Sequence, residues 1–239
     1  MINTMELKTH MNPRPYTRRE IFTLIKRQNP SFPYNSMTWI LEKAEKDGVL
    51  FKTGSDSYSL KKDNRLDYIP NYSAAAKDVI SFMENQFPEL NFIVFETFLL
   101  NEFVNHMIAK NTIIVQIEKD LCQFTFDALN DKYTGKVLYN PSSEDLSRYW
   151  TENCIILENL VSEAPVKKEA PHEVCIEKLL VDCVSDRILT ALTSSSELEY
   201  IYSDSISKYR VEATKLKRYS KRRNSWNKIE KLIKEVRND

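Results

Sequence analysis

Apolar positions near the start of the chain follow the spacing of two short helices and then of two short strands. Thr17 and Glu20 have the spacing of a capping box, in which the threonine hydroxyl accepts the Glu20 amide hydrogen and the glutamate reaches back to the Thr17 amide. We therefore predict a helix that begins at Thr17 and ends before Pro30, because proline has no amide hydrogen to donate. Its apolar face is predicted to contain Ile21, Phe22, Leu24 and Ile25.

A second helix is predicted after the prolines that follow. Asn35 or Ser36 can supply a side-chain cap for a helix that runs to Asp47. Gly48 then suits the left-handed backbone position that ends many helices, because glycine has no Cβ to clash there. The inward face of this helix is predicted to contain Ile40, Leu41 and Ala44.

The two runs that follow, 49–52 and 57–60, are typical of short strands, and the residues between them have a turn composition. Helix, turn, helix and hairpin in this order predict a winged helix-turn-helix, and therefore double-stranded DNA as a partner, with the second helix in the major groove. The predicted DNA-binding residues are Arg18, Arg19, Asn35, Ser36, Thr38, Trp39, Lys43 and Lys52. A small unit of helices and a hairpin can also serve as a protein-docking adaptor, and this alternative stays open.

The middle of the chain follows a polar segment, 61–71, that we interpret as a linker. Helices are predicted at 73–86, at 98–106 and within 142–150. Strands are predicted at 92–95, 112–118, 137–139 and 154–157. This alternation predicts a mixed sheet with helices on its faces, followed by a loop over 160–170.

From His172 onward the pattern is helical. The helices are predicted at 174–192, 202–219 and 226–237. The serines at 194–196 separate the first of them from the second. The whole pattern predicts an α+β fold, in which a winged helix-turn-helix domain at 1–62 precedes a mixed α/β domain at 72–239 whose basic helical end is 207–239.

Charge is distributed in three blocks that the balanced total of 34 basic and 34 acidic residues conceals. Residues 1–62 contain 11 Lys and Arg against 6 Asp and Glu, whereas residues 63–206 contain 11 against 24. Residues 207–239 contain 12 basic and 4 acidic side chains. A clustered basic surplus favours phosphate binding because counter-ions are released, which supports DNA as the partner of the first block.

Several classes of protein are excluded by composition. No apolar run approaches the roughly 18 residues of a membrane-spanning helix, and the N-terminus has no secretory core, so we expect a cytoplasmic protein. The 3 glycines are too few for a phosphate-cradling loop. The 4 cysteines lack the CxxC spacing of zinc and redox sites, so we expect reduced thiols, no metal and no cofactor.

Two stretches of the chain are similar to one known family. They are W-I-L-E-K-A-E-K-D-G-V-L at 39–50, continued by Y-S-L at 58–60, and E-K-L-L-V-D at 177–182. In these stretches the chain resembles the AbiEi family of abortive-infection antitoxins, the regulator half of type IV toxin-antitoxin pairs in phage defence.

The resemblance implies a DNA-binding antitoxin that is also the transcriptional autorepressor of its own operon. Its winged helix would bind inverted repeats at the promoter, and two copies would act on one palindromic operator. Its C-terminal domain would neutralise a nucleotidyltransferase-like toxin without requiring direct contact. No enzymatic activity is expected.

A restriction-nuclease-like C-terminal domain, active or decayed, is the chief alternative. Such sites hold a magnesium ion between carboxylates, with an acidic residue two positions before a lysine on one strand. Here Ile117 stands two positions before Lys119, and the neighbouring Glu118 would point to the opposite face of a strand. The other carboxylates that would have to join this site are Glu84, Glu96 and Asp120.

Two further sets of charged residues have alternative interpretations. Glu177 and Asp182 are predicted to be structural, paired with Lys178, Arg187 or nearby backbone. The second set is a basic cluster formed by Lys215, Lys217, Arg218, Lys221, Arg222 and Arg223. It is either a solvated helix face or a patch for DNA phosphates, an RNA-bound toxin or the acidic block of a second copy.

Overall fold

The structure is a computed structural model that describes residues 4, 7–12, 14–54, 56–60, 65–104 and 106–238. The chain divides into two compact units, Met1–Leu66 and Asp67–Asp239. The boundary between them falls within the segment 61–71, of which residues 61–64 lie outside the described residues. Residue 55, in the predicted turn of the hairpin, also lies outside them.

The first unit contains helices and a small antiparallel sheet. Its elements are α1 (Leu7–His10), β1 (Tyr16–Thr17), α2 (Arg18–Gln28), α3 (Met37–Lys46), β2 (Phe51–Gly54) and β3 (Ser57–Ser59). The strand order is β1-β3-β2, and Tyr58 in the central strand pairs with Tyr16 on one side and with Lys52 on the other. The sequence pattern does not predict β1, because two residues are too short to display an alternation.

The capping box that begins α2 is confirmed. The Glu20 amide donates to the Thr17 hydroxyl oxygen at 3.2 Å, and the Thr17 amide donates to the Glu20 carboxylate at 2.7 Å. The hydrogen bond from the Thr17 backbone lowers the pKa of Glu20 below its usual value. The helix ends at Gln28, before Pro30, as predicted.

The start of α3 differs from the prediction. A 3-10 turn over Tyr34–Ser36 leads directly into α3, and neither Asn35 nor Ser36 makes a side-chain capping hydrogen bond. The reason is local, because Ser36 already has helical backbone angles and its amide donates to the Pro33 carbonyl at 3.1 Å. The buried side of α3 contains the three predicted residues, Ile40, Leu41 and Ala44, together with Met37.

The chain leaves α3 as predicted and enters the first hairpin strand later than predicted. Gly48 has a φ of 65°, the left-handed conformation that favours glycine. The amides of Val49 and Leu50 both donate to the Ala44 carbonyl, at 2.8 and 3.1 Å, so these residues belong to the helix end. The strand therefore begins at Phe51 instead of Val49.

The second unit is built on a mixed sheet, as the sequence predicts. Its strands are β4 (Phe92–Glu96), β5 (Thr112–Ile117), β6 (Val137–Tyr139) and β7 (Cys154–Asn159). The strand order is β4-β5-β7-β6, in which β4 is antiparallel to β5 while β7 is parallel to both β5 and β6. The helices between these strands or before them are α4 (Ala74–Gln86), α5 (Cys122–Lys132) and α6 (Ser143–Tyr149).

In the sheet region one predicted helix was wrong, and one helix of the structure was not predicted. The predicted helix at 98–106 is only a 3-10 turn over Thr97–Glu102, and the Asn101 side chain bonds both backbone groups of Ile108. These side-chain bonds favour a turn over a continued helix. The sequence pattern also missed α5, because its buried side is narrow and includes a threonine.

The C-terminal region contains more helices than predicted. They are α7 (Ile176–Ser185), α8 (Arg187–Leu192), α9 (Ser195–Lys208), α10 (Ala213–Arg222) and α11 (Trp226–Asn238). The single helix expected at 174–192 is wrong, because Asp186 has extended backbone and its carboxylate accepts the amides of Ile188 and Leu189 at 2.9 and 3.2 Å. The helix expected at 202–219 is also divided, since the backbone at Tyr209 is extended.

No helix in the described part of the chain is both long enough and apolar enough to cross a membrane.

We expect Thr17→Ala to lower the free energy of unfolding of the first unit by about 1 kcal/mol, because the hydroxyl accepts an otherwise unpaired helix amide. Thr23→Ala in the middle of α2 is the matched control and should be neutral or slightly stabilising. Urea unfolding followed by the fluorescence of Trp39, with Trp150 and Trp226 replaced by phenylalanine, measures both. Equal effects of the two substitutions would contradict the capping assignment.

Candidate nucleic-acid interface

The outward face of α3 combines polar, aromatic and basic side chains. Asn35 and Thr38 are exposed at its N-terminal end, and Ser36 beside them is half-buried. Trp39 is 53 % exposed, and the Lys43 ammonium lies 5.3 Å from the centroid of its ring. Because the opposite side of the helix is buried in the core of the first unit, this face is held outward by packing.

Arg18 connects α2 to this face. Its Nη2 donates to the Thr38 hydroxyl oxygen at 2.6 Å, and its guanidinium carbon lies 5.6 Å from the centroid of the Tyr34 ring. The sequence analysis predicted Arg18 to bind DNA, whereas the structure gives its side chain a partner within the protein. Arg18 thus connects α2 to the Thr38 hydroxyl on α3.

Tyr34 belongs to the same face, and the sequence analysis did not identify it. Its ring packs edge-to-face on Phe22, with 4.9 Å between the centroids, and about half of the side chain is exposed. The signal that could have found it is an aromatic residue directly after Pro33, in the turn that leads into the second helix.

The remaining predicted cations are available on the surface. Arg19 and Lys52 are exposed, and within the described ranges neither side chain has a salt bridge or hydrogen bond. Glu42 is exposed on α3 one turn after Thr38, so negative charge accompanies Lys43 there. The cations without a salt bridge among the described residues thus lie on three elements of the first unit, Arg19 on α2, Lys43 on α3 and Lys52 on β2.

Most residues of the basic cluster of α10 contact other residues of the second unit, and Lys215 and Arg218 have carboxylate partners. The Lys215 ammonium lies 2.8 Å from a Glu212 carboxylate oxygen, and this hydrogen bond raises the pKa of Lys215. Arg218 lies 3.8 Å from a Glu163 carboxylate oxygen, the Arg222 Nε donates to the Ser162 hydroxyl at 2.6 Å, and the Lys217 ammonium lies 4.9 Å from the centroid of the Trp226 ring. Lys221 is exposed. This arrangement favours the solvated helix face over a phosphate-binding patch.

Arg223 does not belong to an exposed patch, which corrects the sequence analysis. Its side chain is only 16 % exposed. Its Nε donates to the Ser185 hydroxyl at 2.9 Å, and its guanidinium lies 3.6 Å from Asp182 and 3.7 Å from Asp186. It neutralises two buried carboxylates, which is a structural role.

The charged residues of the E-K-L-L-V-D motif are structural, as predicted. Lys178 is 1 % exposed and forms a salt bridge with Asp182, whose other oxygen accepts the Tyr219 hydroxyl at 3.0 Å. The Glu177 carboxylate accepts the Glu212 amide at 2.7 Å. These bonds hold α7 against α10 and against the segment that precedes it.

The carboxyl group of Glu158, near the end of β7, has a raised pKa. Burial raises the pKa of its carboxyl to about 7, and the negative charge of Asp186 adds to this effect. Asp182 raises the pKa further, while the Gln116 amide, 3.5 Å away, and Arg187 oppose the shift.

The carboxylates of the nuclease alternative do not converge on one site. Glu96 is fully buried, and it accepts hydrogen bonds from the Ser73 amide, the Ser73 hydroxyl and the Asn111 amide. Glu118 and Lys119 follow β5 on the surface. Among residues that the structure describes, no group of three or more His, Cys, Asp or Glu side chains is arranged to hold a metal ion.

One protein-family model matches most of the chain. The model described as "Family of unknown function (DUF6577)" matches residues 36–239. Among solved structures, the crystal structure of the RV2827C protein from Mycobacterium tuberculosis is similar over 95 % of this chain and 78 % of that chain, with 9 % identity and a TM-score of 0.26. No curated protein matches the chain.

We expect Lys178→Met to destabilise the protein by about 3 kcal/mol, because it leaves a charged carboxylate buried with fewer partners. Adding Asp182→Asn should recover part of the loss, since asparagine still accepts the Tyr219 hydroxyl but carries no charge. The control is Lys231→Met, which breaks an exposed pair with Glu235 and should cost less than about 0.5 kcal/mol. Urea denaturation of the whole chain gives all three values, and equal costs for the two lysines would refute the assignment.

Glu158 should make stability fall as the pH rises. Its folded pKa of about 7 exceeds the ordinary 4.5, so the folded state binds more protons than the unfolded state between these values. The free energy of unfolding therefore decreases from about pH 4.5 to about pH 7 through this group. We expect Glu158→Gln to flatten that part of the profile, measured as urea midpoints against pH, while Glu152→Gln on the surface leaves it unchanged. An unaltered profile in Glu158→Gln would exclude this role.

Proposed function

We propose that this chain, which belongs to the DUF6577 family of unknown function, is a sequence-specific binder of double-stranded DNA whose first unit is a winged helix. The observation that carries the proposal is the order α1-β1-α2-α3-β2-β3 together with the sheet order β1-β3-β2. This arrangement presents two successive helices beside a hairpin, as winged helix-turn-helix modules do. In it, α3 takes the position of the helix that reads bases.

The dimensions of α3 suit this role. Its 10 residues span about 15 Å, and the major groove of B-DNA is about 12 Å wide and admits one α-helix. Asn35 can form the paired hydrogen bonds that recognise adenine, and the Thr38 methyl group can contact the methyl group of thymine. Trp39, exposed on the same face, would exclude water from the contact.

Phosphate contacts are proposed for the unpaired cations around this face. Arg19, Lys43 and Lys52 can each neutralise a backbone phosphate, because none of them has a salt bridge within the described part of the unit. Residues 1–62 contain 11 basic and 6 acidic side chains, and this positive net charge would attract the unit to DNA. The acidic block 63–206 would not be attracted. Arg18 contributes indirectly by orienting Thr38.

The biological role that we propose follows the resemblance to the AbiEi family. On this proposal the protein represses its own operon by binding inverted repeats as two copies, and the second unit counteracts a nucleotidyltransferase-like toxin. A nucleotidyltransferase reading frame beside the gene would support the antitoxin role. Its absence would leave the DNA-binding proposal standing alone.

The DNA-binding proposal is tested with sites selected from a random duplex library by the whole protein. We expect Arg19→Ala/Lys43→Ala to weaken binding to all selected sites and to reduce the slope of log K against log salt by about 2, one for each lost phosphate contact. Lys77→Ala/Lys136→Ala, which removes the same charge from exposed positions of the second unit, should leave both quantities unchanged. Fluorescence anisotropy at several KCl concentrations measures them.

Asn35→Ala separates base reading from phosphate binding in the same assay. It should relax preference at one position of the selected site, by about 1–3 kcal/mol, with no change in the salt slope. If no duplex shows salt-sensitive affinity, the first unit is a protein-docking adaptor and the proposal fails.

A further inference from the structure

An apolar groove lies in the second unit, where the end of α4 meets the start of α5. Its volume is about 260 Å³. Its lining consists of Phe87, Pro88, Glu89, Leu90, Leu121, Phe124 and Thr125. Apart from Glu89 and Thr125 these side chains are apolar, so the groove has little to offer a polar ligand.

The groove contains an aromatic side chain that the fold does not cover. Phe124 is 66 % exposed, although its ring packs edge-to-face on Phe87 with 5.5 Å between the centroids. Leu121, one turn earlier, is also exposed. Contiguous exposed apolar surface with a polar rim marks interaction sites, because its burial against a partner is favourable.

Acidic residues outnumber basic ones in the chain segments that line the groove, and Glu89 lies in the lining itself. The exposed carboxylates that adjoin the lining residues along the chain are Glu84, Glu89, Glu118, Asp120 and Asp127, and the exposed cation among them is Lys119. None of these carboxylates forms a salt bridge with another described residue. An apolar centre whose neighbouring carboxylates have no salt bridge among the described residues is complementary to a positively charged partner that carries an apolar side chain.

We propose that this groove binds a basic peptide segment of another protein, with one large apolar side chain inserted beside Phe124. The proposal is independent of DNA binding by the first unit. A second copy is a poor occupant through its most basic region, 207–239, because no large apolar side chain there is prominently exposed among the residues described. The partner must supply both the positive charge and the apolar anchor.

A displayed library of random 12-residue peptides is first depleted of those that bind the Phe124→Ser variant. The remaining peptides are then selected for binding to the whole wild-type protein. We expect the enriched peptides to carry a net positive charge and a Trp, Phe or Leu anchor. Enrichment of neutral or acidic peptides, or no enrichment beyond the Phe124→Ser background, would overturn the proposal. Thermal unfolding of Phe124→Ser establishes that this exposed substitution leaves the fold intact.

Titration of the strongest peptide then assigns the contacts. Phe124→Ser and Glu89→Lys should each weaken its binding at least about tenfold, since one removes the anchor contact and the other reverses a rim charge. The controls are Tyr200→Ser, another exposed aromatic residue, and Glu152→Lys, an exposed carboxylate elsewhere in the unit, and neither should change the affinity. Equal losses of affinity in the control variants would show that the peptide binds through charge or non-specific hydrophobic contact alone. That result would refute the site.

Phe124→Trp gives a second readout that does not depend on loss of binding. Its emission should shift to shorter wavelength when the peptide buries the indole. An unshifted spectrum at saturating peptide would contradict insertion beside this residue. Sedimentation of the wild type without peptide tests the remaining occupant, since self-association abolished by Phe124→Ser would assign the groove to a second copy instead.

Discussion

The burial of nearly the whole of α7 is the constraint around which the second unit is arranged. Every side chain from Ile176 to Val184 is buried, including three charged ones. Charge can be kept in such a place only when it is paired, because desolvation of an isolated ion costs far more than folding provides. Lys178 and Asp182 therefore neutralise each other, and α10 must lie where Tyr219 and Arg223 can complete the network.

The first unit uses burial in the opposite way. Only one side of α3 is covered, so the residues on its other side are kept at the surface by the same packing that stabilises the helix. Arg18 adds a polar connection across this surface by bonding Thr38. A surface that is held in place by packing and carries Trp39 and Lys43 side by side is suited to recognition, since little conformational entropy is lost on binding.

The surfaces of the molecule differ more in whether their charged side chains have partners than in how many charged side chains they carry. Two basic residues of α10, Lys215 and Arg218, have carboxylate partners within the second unit. Arg19 and Lys52 of the first unit have no such partner among the described residues. Glu89, which lines the groove with Phe124, likewise has no salt bridge among the residues that the structure describes. Unpaired charge beside exposed apolar surface is therefore the shared property of both proposed interfaces.

The sequence predicts features that depend on residues close together in the chain. It does not predict which charged side chains pair across different elements. The capping box at Thr17, the glycine at position 48 and the apolar strands of the mixed sheet were predicted, because each depends on residues only a few positions apart. The division at Asp186 and the internal partner of Arg223 depend on contacts that cross elements. Spacing along the chain cannot decide which charges are paired in the folded protein, since the partners of a buried ion are chosen by packing. The sequence by itself therefore determined the elements and the excess of charge in each block, and the tertiary structure alone decided which of those charges stay free to meet a partner.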